Sequence, residues 1–332
     1  MRAAVLSFSE QGAKTAARVA EALSGEYEVE RYAPRGNLTP LTAELFQKCD
    51  ALVFVGACGI AVRAIAPCVA AKTSDPAVLV LDELAGHVIS LLSGHIGGAN
   101  ALCWKLAAAL ESEAVITTAT DVNKRFSVDA WAARQGLKIS SMELAKLYSV
   151  AILKRDLPFA SDLPVDGQTP GGVYFADSGA LGAAVTYRAV EPFRKTLLLI
   201  PPVLYVGIGC KRGTPKERIA AAVDRAFSEN ALQFDAVAGF ASIDVKSDEA
   251  GLLAFADEWE RKISFYSAEE LRAAPGEFSA SAFVAGAVGV DNVCERAAVL
   301  AAGEGARLLV RKTSQNGVTV AVALENRRLT FE

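Results

Sequence analysis

Ala51-Leu52-Val53-Phe54-Val55-Gly56-Ala57-Cys58-Gly59-Ile60-Ala61-Val62-Arg63 passes from an unbroken apolar run, through a glycine turn, into residues at helical spacing. Five residues without a polar side chain suit a strand buried on both faces, the condition of a parallel sheet covered by helices. A helix is expected from about Gly59 to Ala71, and another apolar strand follows at Val78 to Asp82. Strand, helix and strand in that order imply a crossover between parallel neighbours.

The same rhythm extends in both directions. Upstream, residues 2 to 8 predict a strand, Glu10 to Leu23 a helix, Tyr27 to Arg31 a strand and Leu41 to Lys48 a helix. Downstream come a strand at Val88 to Leu92, a glycine-rich turn, a helix at Ala101 to Leu110 and a strand at Val115 to Thr118. These make an N-terminal α/β domain over residues 1–125. Residues 126–200 read as a small middle domain or linker, with two short helices at Val128 to Gln135 and Met142 to Val150 and a proline- and glycine-rich stretch from Leu157 to Gly172. Pro201-Pro202 punctuates the chain before a new strand, Val203 to Ile208, and a helix from about Pro215 to Glu229. Thr214 suits its N-cap, Pro215 its first position and Glu217 the acid of a capping box. Strands near Val237 to Val245, Arg307 to Val310 and Val318 to Leu324 complete a C-terminal α/β domain, 203–332. The expected class is therefore α/β: two α/β domains with mainly parallel sheets flanked by helices, joined by a smaller middle segment.

The chain has 332 residues, 52% of them hydrophobic and 22% charged, which is globular rather than disordered composition. The net charge is −4, and no segment carries the basic excess of a nucleic-acid binder. Six cysteines show no paired spacing, which argues against a zinc site or a disulfide framework and for a reducing cytoplasm. No apolar run reaches the roughly 18 residues of a membrane span, and no signal region is visible. The expectation is a soluble cytoplasmic protein without membrane or nucleic-acid partners.

Only two histidines occur, His87 and His95. His95 lies in Ser93-Gly94-His95-Ile96-Gly97-Gly98-Ala99-Asn100, a glycine-rich turn from a strand end to a helix start. Gly97 and Gly98 let the backbone turn and leave unpaired N–H groups for an anion, while imidazole exchanges protons near neutral pH. The alternative is a histidine that simply holds the turn. Thr117-Thr118-Ala119-Thr120-Asp121-Val122-Asn123 follows another strand at what should be the same sheet edge, so Asp121 could orient His95 or a water and Asn123 could hold a polar ligand group. These residue types serve equally well as a helix cap and turn. Arg63, after the Gly56 turn, could clamp a carboxylate, with Lys72 as further positive charge nearby. His87, beside Gly86, reads as a surface histidine. In the C-terminal domain Gly207-Ile208-Gly209-Cys210-Lys211-Arg212-Gly213-Thr214 has the composition of a phosphate-cradling loop but the spacing of neither the P-loop nor the dinucleotide fingerprint, so a carboxylate-binding helix start is expected, with Lys246 as a second contact.

Taken together, Gly59 to Arg63, Thr73 to Val78, Leu91 to Asn100 and Thr117 to Asn123 resemble the cobalt-precorrin-5A hydrolase family, CbiG, of anaerobic cobalamin biosynthesis. Val206 to Thr214 and Ala241 to Lys246 resemble that family's C-terminal domain, which is also related to the CobE protein. The resemblance spans about residues 1–125 and 203–325. It implies hydrolysis of the δ-lactone of cobalt-precorrin-5A, with the bridging two-carbon unit lost as acetaldehyde, to give cobalt-precorrin-5B. It implies no cofactor and no metal site of the protein's own, because the cobalt comes with the substrate. The partner is an anionic macrocycle, with other cobalamin-pathway enzymes and a second copy of the chain as further candidates. His95 is then the acid/base group and Asp121 its orienter. Gly94, Gly97, Gly98, Asn100 and Asn123, with Arg63, Lys72, Gly209, Arg212, Thr214 and Lys246, become candidate substrate contacts. The family commonly has an aromatic where His87 stands, so His87 inherits no role. The rivals are a non-catalytic tetrapyrrole-binding or carrier protein and a nucleotide-binding α/β protein.

Overall fold

In strand β1 (Arg2–Ser7), Ala3 and Val5 belong to one hydrophobic core and Ala4 and Leu6 to another, all of them fully buried. That two-sided burial is what the all-apolar strands required, and it sets the first unit of the chain. The computed structural model describes residues 1–71, 74–279 and 290–331. They form two compact units, Met1–Ala133 with Ser149–Arg155, and Arg134–Tyr148 with Asp156–Glu332. Among the described residues, no helix is long and apolar enough to cross a membrane.

The first unit continues with α1 (Glu10–Leu23), β2 (Glu28–Tyr32), α2 (Thr39–Lys48), β3 (Ala51–Val55), α3 (Cys58–Ile65), β4 (Ala77–Leu81), β5 (His87–Leu92), α4 (Ala99–Leu110), β6 (Glu113–Val115), α5 (Ala119–Val122) and α6 (Val128–Arg134). Its six strands form one sheet in the order β2-β1-β3-β4-β5-β6. Val19, Leu23, Leu102 and Leu106 of α1 and α4 cover one face; Leu45, Phe46, Ala61 and Ile65 of α2 and α3 cover the other.

Strands β1 to β4 are parallel, as expected, but β5 runs antiparallel to β4, and β6 follows the direction of β5. The five residues between β4 and β5 are too few for a crossover. Asp82 closes them into a hairpin: its carboxylate accepts the N–H groups of Leu84 at 3.0 Å, Gly86 at 3.1 Å and His87 at 2.7 Å. The reversal separates the turns that the sequence placed together. The Gly56 turn and His87 lie at the edge where β1, β3 and β4 end, and the turns after β5 and β6 lie at the opposite edge. The two histidines therefore sit at opposite ends of a six-residue strand, roughly 20 Å apart at about 3.3 Å per residue.

The second unit holds β7 (Lys138–Ile139), β8 (Leu157–Ser161), β9 (Val165–Asp166), β10 (Val173–Phe175), β11 (Gly182–Val185), β12 (Thr196–Ile200), β13 (Leu204–Cys210), α8 (Lys216–Glu229), β14 (Val237–Ile243), α9 (Ala250–Glu258), β15 (Ile263–Tyr266), α10 (Ala268–Ala273), α11 (Val293–Ala302), β16 (Arg307–Gln315), β17 (Val318–Leu324) and β18 (Leu329–Thr330); helix α7 (Met142–Ile152) precedes β8. Two five-stranded sheets result, β10-β8-β11-β12-β7 and β15-β14-β13-β17-β16. The first is built entirely from the segment in which sequence reading saw helices and turns but no strands. Pro158 hid β8, yet pairing with β11 starts only at Phe159, so the missing proline N–H interrupts no bond on that side. In the second sheet, α11 lies directly on β13. Glu295 on α11 is fully buried and accepts Ser279 N–H at 2.8 Å, Ser279 Oγ at 2.9 Å and Lys312 N–H at 2.7 Å.

Candidate active site

Beyond β5, Ser93 takes a left-handed conformation at φ +57° and Gly98 another at φ +82°, and between them the chain folds back to start α4. Gly98 caps that helix in a conformation that disfavours any side chain. The N–H groups of Gly98, Ala99 and Asn100 close on the carbonyls of His95, Ser93 and Gly94 at 3.0, 3.1 and 2.9 Å. Gly98 is thus already used inside the turn, contrary to its expected part as a ligand donor. Among the described residues the Gly97 N–H makes no hydrogen bond, which leaves it available. Gly94 makes room: a Cβ there would lie 2.6 Å from Asn100 Oδ1.

Asn100 is buried and braces the site from beneath. Its Oδ1 accepts Ser90 Oγ at 2.7 Å, and its Nδ2 donates to Thr118 Oγ1 at 2.8 Å and to Asp121 Oδ2 at 3.1 Å. Thr118 Oγ1 donates to the same Asp121 oxygen at 2.5 Å, and His95 Nε2 reaches it at 3.1 Å. Thr120 Oγ1 lies 3.1 Å from the same ring nitrogen. On the far side of the ring, Nδ1 lies 3.4 Å from Asp129 Oδ1. The Asp129 carboxylate is itself held by Ser127 Oγ and the Ala130 N–H, both at 3.0 Å.

Charge follows from this geometry. Asp121 first, then Asp129, push the half-buried His95 imidazole up to about 9 against the burial that opposes its charge. The His95 hydrogen bond holds Asp121 below the usual carboxylate range. Burial disfavours the Asp129 carboxylate, but His95 and Ser127 outweigh it and bring the group down to about 2. At neutral pH the ring is an imidazolium between two carboxylates.

Stability should record this. His95 rises from 6.5 to about 9 on folding, so its contribution is complete below about 6.5 and disappears as pH climbs through 9, about 3 kcal/mol at most for a shift shared with its carboxylate partners. Asp129 falls from 3.8 to about 2, so its share is present above about 4 and is lost as pH drops toward 2. Denaturant unfolding at pH 6 and 9.5 is expected to show the alkaline loss in the wild type and a flatter profile in His95→Asn; equal profiles would refute the charge assignment.

The other expected site residues lie elsewhere or are already engaged. Asn123 Nδ2 bonds the Ala119 carbonyl at 2.8 Å and closes α5. Arg63 is exposed on α3, and its Nη1 folds back to the Gly59 carbonyl at 3.1 Å, toward the opposite sheet edge. Lys72 lies outside the described residues. In the second unit, Gly207 and Gly209 belong to β13 rather than to a loop, and Gly209 is opposite Thr319, whose Oγ1 would be 2.6 Å from a Cβ. The N-cap of α8 is Pro215, not Thr214; the Thr214 hydroxyl donates to the Lys211 carbonyl at 2.6 Å. Arg212 forms two 3.0 Å bonds with Asp248, Glu249 accepts the Gly213 N–H at 2.7 Å, and Lys246 lies 3.4 Å from Glu249. The expected anion contacts thus face the chain's own carboxylates. Sequence reading missed Asp129, whose signal was its place two residues after Ser127 at a helix start.

Comparison with known proteins agrees with the motifs. Residues 40–121 match the family model for the cobalamin synthesis G N-terminal region, and residues 204–323 that for its C-terminus. A cobalt-precorrin-5A hydrolase of Priestia megaterium is 33% identical over 87% of this chain and 82% of its own, and one from Salmonella typhimurium is 35% identical over 87% and 86%. Protein CobE of a Sinorhizobium species is 32% identical over 36% of this chain and 79% of its own. With both domain models matched in order and such identity over most of each full-length relative, the chain belongs to the cobalt-precorrin-5A hydrolase family, cobalamin synthesis G.

Proposed function

We propose that this chain opens the δ-lactone of cobalt-precorrin-5A and releases acetaldehyde to give cobalt-precorrin-5B. Family membership supplies the reaction, and the His95–Asp121 pair at the mouth of α4 is the observation that carries the site. Water adds to the lactone carbonyl, the ring C–O bond breaks, and an acid and an alcohol result. Loss of the alcohol proton as the adjoining carbon–carbon bond breaks gives acetaldehyde, and the macrocycle carbon takes up a proton. Each stage needs a proton acceptor, a proton donor and a partner for developing negative charge on oxygen. Asp121 on α5, with His95 and the Gly97 N–H of the turn before α4, which is unpaired among the described residues, have those capacities.

The macrocycle's acid side chains require cations, but Arg63 starts from the sheet edge opposite His95, and Arg212 and Lys246 are engaged by Asp248 and Glu249. Cobalt enters as part of the substrate and no resident cofactor is invoked. Six free cysteines suit a reducing cytoplasm. Incubation of the purified protein with cobalt-precorrin-5A tests the reading: acetaldehyde and the ring-opened product are expected in equal amounts. Tight binding without acetaldehyde would make the protein a carrier instead.

A further inference from the structure

We propose that Asp129 is a positioning residue that locks His95 through Nδ1, so that the ring acts only as a proton donor and fixed positive charge, while the free oxygen of Asp121, Oδ1, takes the proton from water. The inference rests on the hydrolase reading of this turn, and it changes which group is the base.

The argument begins with the nitrogens. A histidine that deprotonates water needs one nitrogen with a free lone pair and the other held. Here Nε2 faces Asp121 Oδ2 at 3.1 Å and Nδ1 faces Asp129 Oδ1 at 3.4 Å, so both sides of the ring address carboxylates. The groups that face the ring are Asp121 and Thr120 of α5 and Asp129 of α6. No cation among them would favour the neutral form. Asp129 is well placed to be permanent: its side chain is 10% exposed against 31% for Asp121, and Ser127 and the Ala130 N–H fix it.

Donors gather on one oxygen of each carboxylate, Oδ1 of Asp129 and Oδ2 of Asp121, and what sets Asp121 apart is its greater exposure, 31% against 10%. Its Oδ2 collects all three side-chain donors, from His95, Asn100 and Thr118. Among the described residues Oδ1 accepts none, and the side chain is partly open to solvent. A carboxylate with one oxygen anchored and the other free can orient a water and accept its proton, and the imidazolium on Oδ2 can then pass its own proton to the leaving oxygen. Asp129 acts on the chemistry only through His95.

The chain's two histidines make the test direct, since each ring can be followed by nuclear magnetic resonance in the intact protein. The wild-type His95 signal is expected to remain doubly protonated through neutral pH. Asp129→Asn keeps the shape and removes the charge. His95 should then titrate at least about one pH unit lower, and the alkaline limb of acetaldehyde release should move by the same amount, with turnover on the acid side of that limb largely kept. Asp121→Asn, by contrast, should abolish turnover across the profile. A wild-type His95 that titrates near 6.5, or an Asp129→Asn profile identical to wild type, overturns the inference, and the wild-type titration decides the first point even if the variant fails to fold. Absence of acetaldehyde from the wild type with His95 still protonated would instead defeat the hydrolase reading alone.

Discussion

His95→Asn is expected to lower acetaldehyde release by about a thousandfold while the protein still folds, the range in which loss of a positioned acid–base group falls. Asparagine can occupy the turn, because the main-chain bonds that shape it run through the carbonyls of Ser93, Gly94 and His95 and not through the imidazole. What it removes is the positive charge that faces both Asp121 and Asp129, and with it the proton held at Nε2. Two effects should appear together. Turnover falls at every pH, and the stability that depended on the imidazolium near neutral pH is reduced. Turnover is compared under conditions where circular dichroism and a single cooperative melt show the variant folded. His87→Asn is the control. Its ring is exposed beside Asp82 and Glu113 at the other end of β5, and its turnover should match wild type. Activity of His95→Asn within threefold of wild type would remove His95 from the chemistry.

The limits of sequence reading are visible at that same strand. Ala51 to Val55 and Val78 to Leu81 announce a buried parallel sheet because both faces of each strand must be apolar, and α1 was legible to the residue from its periodicity. The direction of β5 was not. Periodicity carries no sign, and only the shortness of the Asp82–Gly86 link, stabilised by one aspartate, decides that β5 turns back. The consequence is functional: Arg63 and His95 come from neighbouring motifs but begin from opposite sheet edges. Asp121 could be paired with His95 because β5 and β6 are parallel and their following turns share an edge. Asp129 could not, since its approach to Nδ1 depends on the path of the segment before α6, which no spacing rule fixes. Likewise the glycines of Val206-Gly207-Ile208-Gly209 have the composition of a ligand loop and the role of strand residues under close packing.

Gly207→Ala should therefore act on the fold and not on a ligand. A Cβ at Gly207 would stand 1.8 Å from the Cys294 carbonyl oxygen, 2.8 Å from its carbon and 2.9 Å from the Ala298 nitrogen. All three are main-chain atoms of α11, so no rotamer change relieves the overlap, and the helix must move away from β13. That motion cannot stay local. Cys294, Ala297 and Ala298 are buried on the packed side of the helix, and neighbouring Glu295 ties its first turn to Ser279 and to the Lys312 N–H of β16. The expected loss is about 3 kcal/mol or more, the upper end for overpacked cores, because backbone rather than side chain must shift. Gly239→Ala in the adjacent strand β14 provides the contrast: its nearest atom is the Lys262 carbonyl oxygen at 3.3 Å, and a cost within about 1 kcal/mol is expected. Denaturant unfolding of both variants in the intact chain distinguishes the readings. If Gly207→Ala unfolds like wild type but binds the macrocycle poorly, the glycine belongs to a ligand loop; if it unfolds early, the small residue is there so that α11 can lie against the strand.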